Sequence, residues 1–212
     1  MLFQDRRDAG KQLAARLQSY KGRKDVIVLG LARGGMVIAD EVARALAVSL
    51  NAIVVRKIGA PRNAELALGA IAEDGEGVFN ESLIQLLGVP ISYLQKETEK
   101  QRKVLKERLA LYRGKRAAPD LKGKIVILVD DGIATGASMH VAIRSMRDMG
   151  VQKLILAVPV AASAALQKLE KEVDEVVCLS APAFFEAVGC FYRVFDQVSD
   201  EEIVSILDLS RN

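Results

Sequence analysis

The chain has 212 residues, half of them hydrophobic and 27% charged, enough to bury a core without staples and too apolar for wholesale disorder. Thirty Lys and Arg against 27 Asp and Glu leave a net charge of +3, which argues against nucleic-acid binding by bulk charge. One His and two Cys without zinc-ligand spacing leave zinc hydrolysis and His-dependent triads poorly supported, so any chemistry must use Asp, Lys, Arg, Thr, Ser and backbone amides. No apolar run approaches the ~20 residues of a membrane span, and acids and bases stand where a signal peptide is apolar, which predicts a cytoplasmic protein.

The first helical pattern covers 3–20, with Phe3, Leu13, Ala14 and Leu17 at helical spacing. After a polar break, 26–30 is a short, continuous apolar run and reads as a buried strand. The turn 31–35 contains Arg33-Gly34-Gly35, a helix is expected over 36–48, and the next strand is expected at 52–55. That succession is a βαβ unit and predicts a mainly parallel sheet flanked by helices. The segment 57–63 is a loop by composition, with a short strand returning at 66–71. The longest helical candidate is 91–112; nine of the thirteen residues from Lys96 to Arg108 are charged, with acids and bases interleaved as on a solvated face. Its narrow apolar stripe, Leu94, Leu105 and Tyr112, suits an appendage resting on a core. A linker at 113–124 returns to strands at 125–129, 154–158 and 175–179, alternating with helices at 138–149 and 161–171. The tail 181–197 carries five of the ten aromatics, and Ser199 caps a short last helix whose first turn is acidic.

The stretch IVILVDDGIATGAS, 125–138, carries the chemistry. A strand ends in Asp130 and Asp131, and a short loop then opens a helix. Ligands of open α/β sheets bind at the carboxyl ends of strands. The helix N-terminus and the loop amides of Ala134, Thr135, Gly136, Ala137 and Ser138 attract phosphate, and two of these residues add hydroxyls. Two carboxylates beside a phosphate cradle need another partner, either sugar hydroxyls or a hard cation such as Mg²⁺. The pattern suggests a sugar phosphate.

Here the chain resembles the type I phosphoribosyltransferases. The strand followed by Asp-Asp, an apolar position and Thr-Gly-x-Ser is similar to their binding motif for phosphoribosyl pyrophosphate (PRPP), with Gly132 where the family usually has a bulkier apolar residue. The strings Phe3-x-Asp5-Arg6-x-x-Ala9-Gly10, Lys57-Ile58-Gly59-x-Pro61 and Val198-Ser199-Asp200-Glu201-Glu202 resemble one bacterial and archaeal branch. The resemblance implies a single domain over 1–212, Rossmann-like, with a helical hood at about 80–119 and, from the C-terminal end, 181–212. It implies that Arg33, Gly34 and Gly35 bind pyrophosphate, with a strained peptide at Ala32–Arg33 or Arg33–Gly34. It places Lys57 and Arg62 on a flexible catalytic loop, 57–77, acting as a lid. It assigns the 5′-phosphate to 134–138, ribose contacts to Asp130 and Asp131 with Asp131 the better candidate, and indirect Mg²⁺ contacts to either acid.

The implied reaction is Mg²⁺-dependent transfer of phosphoribosyl from PRPP to a nitrogenous base, with release of pyrophosphate; the base is not named by any residue. The alternative is a non-catalytic regulator that binds PRPP or a nucleotide, and a weaker third reading is a nucleotidase or phosphorylase acting on ribose phosphates. His140 reads as an exposed helix residue or as a phosphate or base contact. The tail aromatics read as a base-stacking surface or as core or dimer packing. Neither a nucleic acid nor a membrane is an expected partner, and a homodimer is the family expectation.

Overall fold

A computed structural model describes residues 2–73, 77–114 and 118–210. The elements run α1 (Arg6–Arg16), β1 (Val26–Leu31), α2 (Gly34–Leu46), β2 (Ser49–Ile53), β3 (Arg56–Ala60), β4 (Asn63–Ile71), β5 (Gly77–Phe79), α3 (Glu81–Leu86), α4 (Ile91–Arg113), β6 (Ile125–Val129), α5 (Ala137–Asp148), β7 (Lys153–Val160), α6 (Ser163–Leu169), β8 (Glu175–Ser180) and α7 (Asp200–Leu209).

Five of the strands form one parallel sheet in the order β2-β1-β6-β7-β8. Side chains alternate across it with period two. Val28, Ile127, Val129 and Ile155 meet Leu13, Ile38 and Val42 of α1 and α2 on one face. Leu29, Leu128 and Leu156 meet Met139, Ile143 and Leu166 of α5 and α6 on the other. Covering both faces is why the inner strands are unbroken apolar runs. From β1 the chain crosses over to β2 on one side, while β6 lies on the other. The order therefore reverses between β1 and β6, and a crevice opens at their carboxyl ends. Gly30 pairs with Val129, so the loops that follow the two strands leave the sheet side by side.

Several boundaries differ from the sequence expectation. The helix expected over 3–20 is shortened to α1, because Asp5 stops it: its Oδ1 accepts from the Asp8 N–H at 2.8 Å. Phe3 instead forms a β-bridge with Tyr192. The strand expected at 52–55 is β2, which begins at Ser49; as a sheet edge it tolerates the polar Ser49 and Asn51 that hid its start. The segment 57–63 is not an irregular loop but the core of a hairpin, β3 and β4, in a three-stranded antiparallel sheet with β5. Its support comes from far along the chain. Tyr93 Oη donates to the Gly59 carbonyl at 3.0 Å, and Arg56 Nε donates to Gln101 Oε1 at 2.9 Å. Parts of the expected segments 57–77 and 113–124, namely 74–76 and 115–117, lie outside the described residues.

Most of the buried side chains of α4 lie in its second half, while Leu94 packs against the core from the first. Leu105 and Tyr112 are buried with Met36, Ile58, Ile71, Ile203 and Ile206, and the Tyr112 hydroxyl donates to Asp200 at the start of α7. Leu86 at the end of α3 and Ile91 at the start of α4 are exposed. No described helix is long and apolar enough to cross a membrane.

Candidate active site at the ends of β1 and β6

Two loops face each other across the crevice. After β1 come Ala32, Arg33 and then Gly34 and Gly35, which begin α2; the Ala32–Arg33 peptide bond is cis. The Ala32 N–H donates to the Ile53 carbonyl at 2.9 Å, so this turn is tied to the end of β2, just where the chain leaves for the β3–β4 hairpin. After β6 come Asp130 and Asp131.

The loops approach so closely that side chains are excluded. A Cβ at position 34 would lie 1.9 Å from Asp131 Oδ2, and one at position 35 would lie 2.7 Å from the Val129 carbonyl oxygen. Gly34 and Gly35 thus let the start of α2 rest against the acids. The positive end of the helix there lies beside the two carboxylates.

The acids are held differently. Asp130 Oδ1 accepts from the Asp131 N–H at 2.8 Å. Asp131 Oδ2 accepts from Arg6 Nε at 2.8 Å, and its backbone carbonyl accepts from the Tyr192 hydroxyl at 2.5 Å. Burial pushes Asp130 well above the usual carboxylate range, and the charge of Asp131 adds to this. Burial also raises Asp131, against the opposing charge of Arg6. Burial raises the Tyr192 phenol as well, so it stays protonated and donating.

Beyond the acids, Ile133 bridges to Ala161 at the end of β7, with N–H to carbonyl bonds of 3.0 and 2.8 Å fixing the loop. Thr135 Oγ1 accepts from the Ala137 N–H at 3.5 Å, and Gly136 sits at φ +80° immediately before α5. The backbone from Ala134 to Ser138 is therefore a turn that ends in the open N–H groups of a helix. Gly132 has a reason of its own: a Cβ there would lie 2.5 Å from Val188 Cγ1, so the tail fills the space that a bulkier residue would take.

The expected residues fall into two groups. Arg33, Gly34, Gly35, Asp130, Asp131 and the stretch 134–138 converge on the crevice. Lys57 and Arg62 lie on the antiparallel hairpin; both are exposed, and among the described residues neither bonds to the two loops. Arg62 stands out by its backbone. It follows Pro61 between the paired Ala60 and Asn63 and has φ +69°, a turn position that usually takes Gly or Asn. His140 turns away from the loop, its Nδ1 2.6 Å from Glu172 Oε2. Among the tail aromatics, Tyr192 stacks between Phe3 and Phe195, Phe185 stacks on Phe191, and Phe184 is exposed. Arg6, Tyr192 and Phe195 were not expected at the acids.

A parallel sheet with its switch point lined by a Gly-Gly helix start, two acids and the turn that opens a second helix defines a doubly wound α/β protein. Comparison with known proteins gives the family. The phosphoribosyl transferase domain model matches residues 3–193, and the chain belongs to that family. A Mycobacterium tuberculosis protein provisionally named a phosphoribosyl transferase is 45% identical over 207 residues, 98% of this chain and 46% of that protein. The chain spans about half the length of the curated relatives it matches first. The crystal structure of TT1426 from Thermus thermophilus superposes with a TM-score of 0.82 at 46% identity, covering 98% of both chains. A hypothetical protein from Neisseria gonorrhoeae with bound ppGpp matches at a TM-score of 0.52 and 13% identity, over 100% of this chain and 99% of that one, a likeness of fold alone.

Proposed function

We propose that the chain transfers the phosphoribosyl group of PRPP to a nitrogen of a base or related small acceptor and releases pyrophosphate, with Mg²⁺. The observation that carries this reading is the contact between the Gly34–Gly35 helix start and Asp131. It brings a cradle for one anion, a pair of acids and a turn for a second anion onto adjoining strand ends, and PRPP carries a pyrophosphate, ribose hydroxyls and a 5′-phosphate in that order.

In the reaction the bond from ribose C1 to the pyrophosphate oxygen breaks, the bond from C1 to the acceptor nitrogen forms, and the nitrogen gives its proton to solvent. Negative charge grows on the leaving pyrophosphate, so preorganised amides and cations lower the barrier most. Arg33 and the amides at 33–35 hold the pyrophosphate. Lys57 and Arg62 reach it from the hairpin, whose strand β3 begins three residues after β2, and shield the reacting carbon from water. Asp131 accepts from the ribose hydroxyls, and the 134–138 turn takes the 5′-phosphate. The segment 80–119 acts as a hood, and the exposed Phe184 offers a ring to a flat acceptor.

The donor set suits Mg²⁺ in one way only. Among the described residues no cluster of three or more His, Cys, Asp or Glu could hold a metal, and two carboxylates are too few for a cage of protein ligands. Asp130 and Asp131 would hold Mg²⁺ through water or substrate oxygens, where it supplies charge neutralisation for the pyrophosphate.

Incubation with PRPP, Mg²⁺ and a panel of purine and pyrimidine bases, followed by pyrophosphate measurement, tests the reading. Release with at least one base is expected. PRPP binding without release for any base would favour a regulator.

A further inference from the structure

We propose that Arg6 is a positioning residue of the phosphoribosyl site: its guanidinium fixes one carboxylate oxygen of Asp131 and leaves the other for a ribose hydroxyl. The inference rests on the proposed PRPP reading and adds to it a residue from the far end of the chain, 125 positions from the acid it serves.

Arg6 is pinned on three sides. Nε donates to Asp131 Oδ2 at 2.8 Å, Nη1 donates to the Asp196 carbonyl at 2.8 Å, and the guanidinium lies 3.8 Å from the centre of the Phe195 ring. Its side chain is 11% exposed and that of Asp131 is 15% exposed. A planar guanidinium stacked on a ring has already given up its rotational freedom, so it holds the carboxylate in one orientation at little further cost.

Asp131 is correspondingly confined. Oδ2 is shared between Arg6 and the space left open by the missing side chain of Gly34, where a Cβ would also lie 3.1 Å from Arg6 Nε. The Tyr192 hydroxyl holds the backbone of the same residue, and the Tyr192 ring is itself wedged between Phe3 and Phe195. Among the described residues no side chain donates to Oδ1. One oxygen is therefore engaged, the backbone is clamped, and one oxygen remains for a ligand.

The charge of Arg6 matters as well as its shape. Two adjacent carboxylates in a desolvated crevice repel the phosphates that the neighbouring amides attract. A cation on Asp131 removes one of those two charges without occupying Oδ1. A tie that served only to anchor α1 and the tail would not need the acid nearest the helix start of α2; the Asp196 carbonyl and the Phe195 ring already provide that anchor.

Calorimetric titration of PRPP with Mg²⁺ into wild type, Arg6→Gln, Arg6→Lys, Asp131→Asn and the double variant Arg6→Gln/Asp131→Asn tests the role. Arg6→Gln should weaken PRPP binding roughly tenfold, the loss of one charge-assisted hydrogen bond. Arg6→Lys, which keeps the charge but not the stacked plane, should recover part of that loss. In the Asp131→Asn background, Arg6→Gln should cost less than about twofold more, because the partner it positions is gone. Thermal unfolding of each variant checks the fold; Arg6→Met, which puts an apolar side chain beside the Phe195 ring, replaces Gln if Gln disturbs it, and the same results decide. Equal losses in both backgrounds, or Lys as weak as Gln, would overturn the role of Arg6 while leaving the PRPP site standing. A wild-type protein that binds no PRPP would overturn the functional reading itself, and the role of Arg6 with it.

Discussion

Arg62 adopts a left-handed backbone, φ +69°, at the tip of the β3–β4 hairpin. That conformation costs a residue with a Cβ about 1 kcal/mol or more, and the turn alone would be better served by Gly. A strained position kept for a cation points to a use for the cation. Arg62→Gly should therefore leave stability within about 1 kcal/mol of wild type, since relief of strain offsets the greater freedom of the unfolded chain. The same variant should lower turnover by roughly ten- to a hundredfold, the scale for losing a group that stabilises transition-state charge. Thermal unfolding and steady-state pyrophosphate release on one preparation measure both; unchanged turnover would remove Arg62 from the mechanism. The adjacent acids show the complementary situation, because burial raises both Asp130 and Asp131, against the opposing charge and hydrogen bond of Arg6 on Asp131. Such groups are an expense to the fold and belong where a ligand needs them.

The inner strands and the 125–138 stretch were legible in the sequence because their signals are local. An apolar, β-branched run followed by two acids and Thr-Gly-x-Ser needs no distant partner to be recognised. The β3–β4 hairpin was not legible, since a segment rich in Gly, Ala and charge reads as loop, and its support comes from Tyr93 and Gln101 on a helix further along the chain. Arg6 was hidden for the same reason: it stands in a string noted only for its resemblance, and its partner is 125 residues away. Gly132 appeared as a departure from the family pattern until the fold supplied Val188. That pair makes an element-scale prediction. Gly132→Val should destabilise the protein by about 1–3 kcal/mol through overpacking. Adding Val188→Ala to that variant should restore most of the loss, a non-additivity that chemical unfolding of the single and double variants would reveal. Simple additivity would mean that the tail does not fill this space in solution.

At the scale of the whole molecule, the strand order decides where chemistry can occur. The reversal between β1 and β6 opens one crevice, and the pairing of Gly30 with Val129 sets both loops at its mouth. The N-terminal helix and the aromatic tail then close one side through Arg6, Tyr192 and Phe195, while the hairpin rises from beside the Ala32–Arg33 turn on the other. PRPP is expected across two separate backbone segments, with pyrophosphate on 32–35 and the 5′-phosphate on 134–138. Hydrogen–deuterium exchange with and without PRPP and Mg²⁺ tests that placement most directly. Slowed exchange is expected in both segments together, with the β8 strand unchanged; PRPP binding that leaves both segments unprotected would rule this placement out.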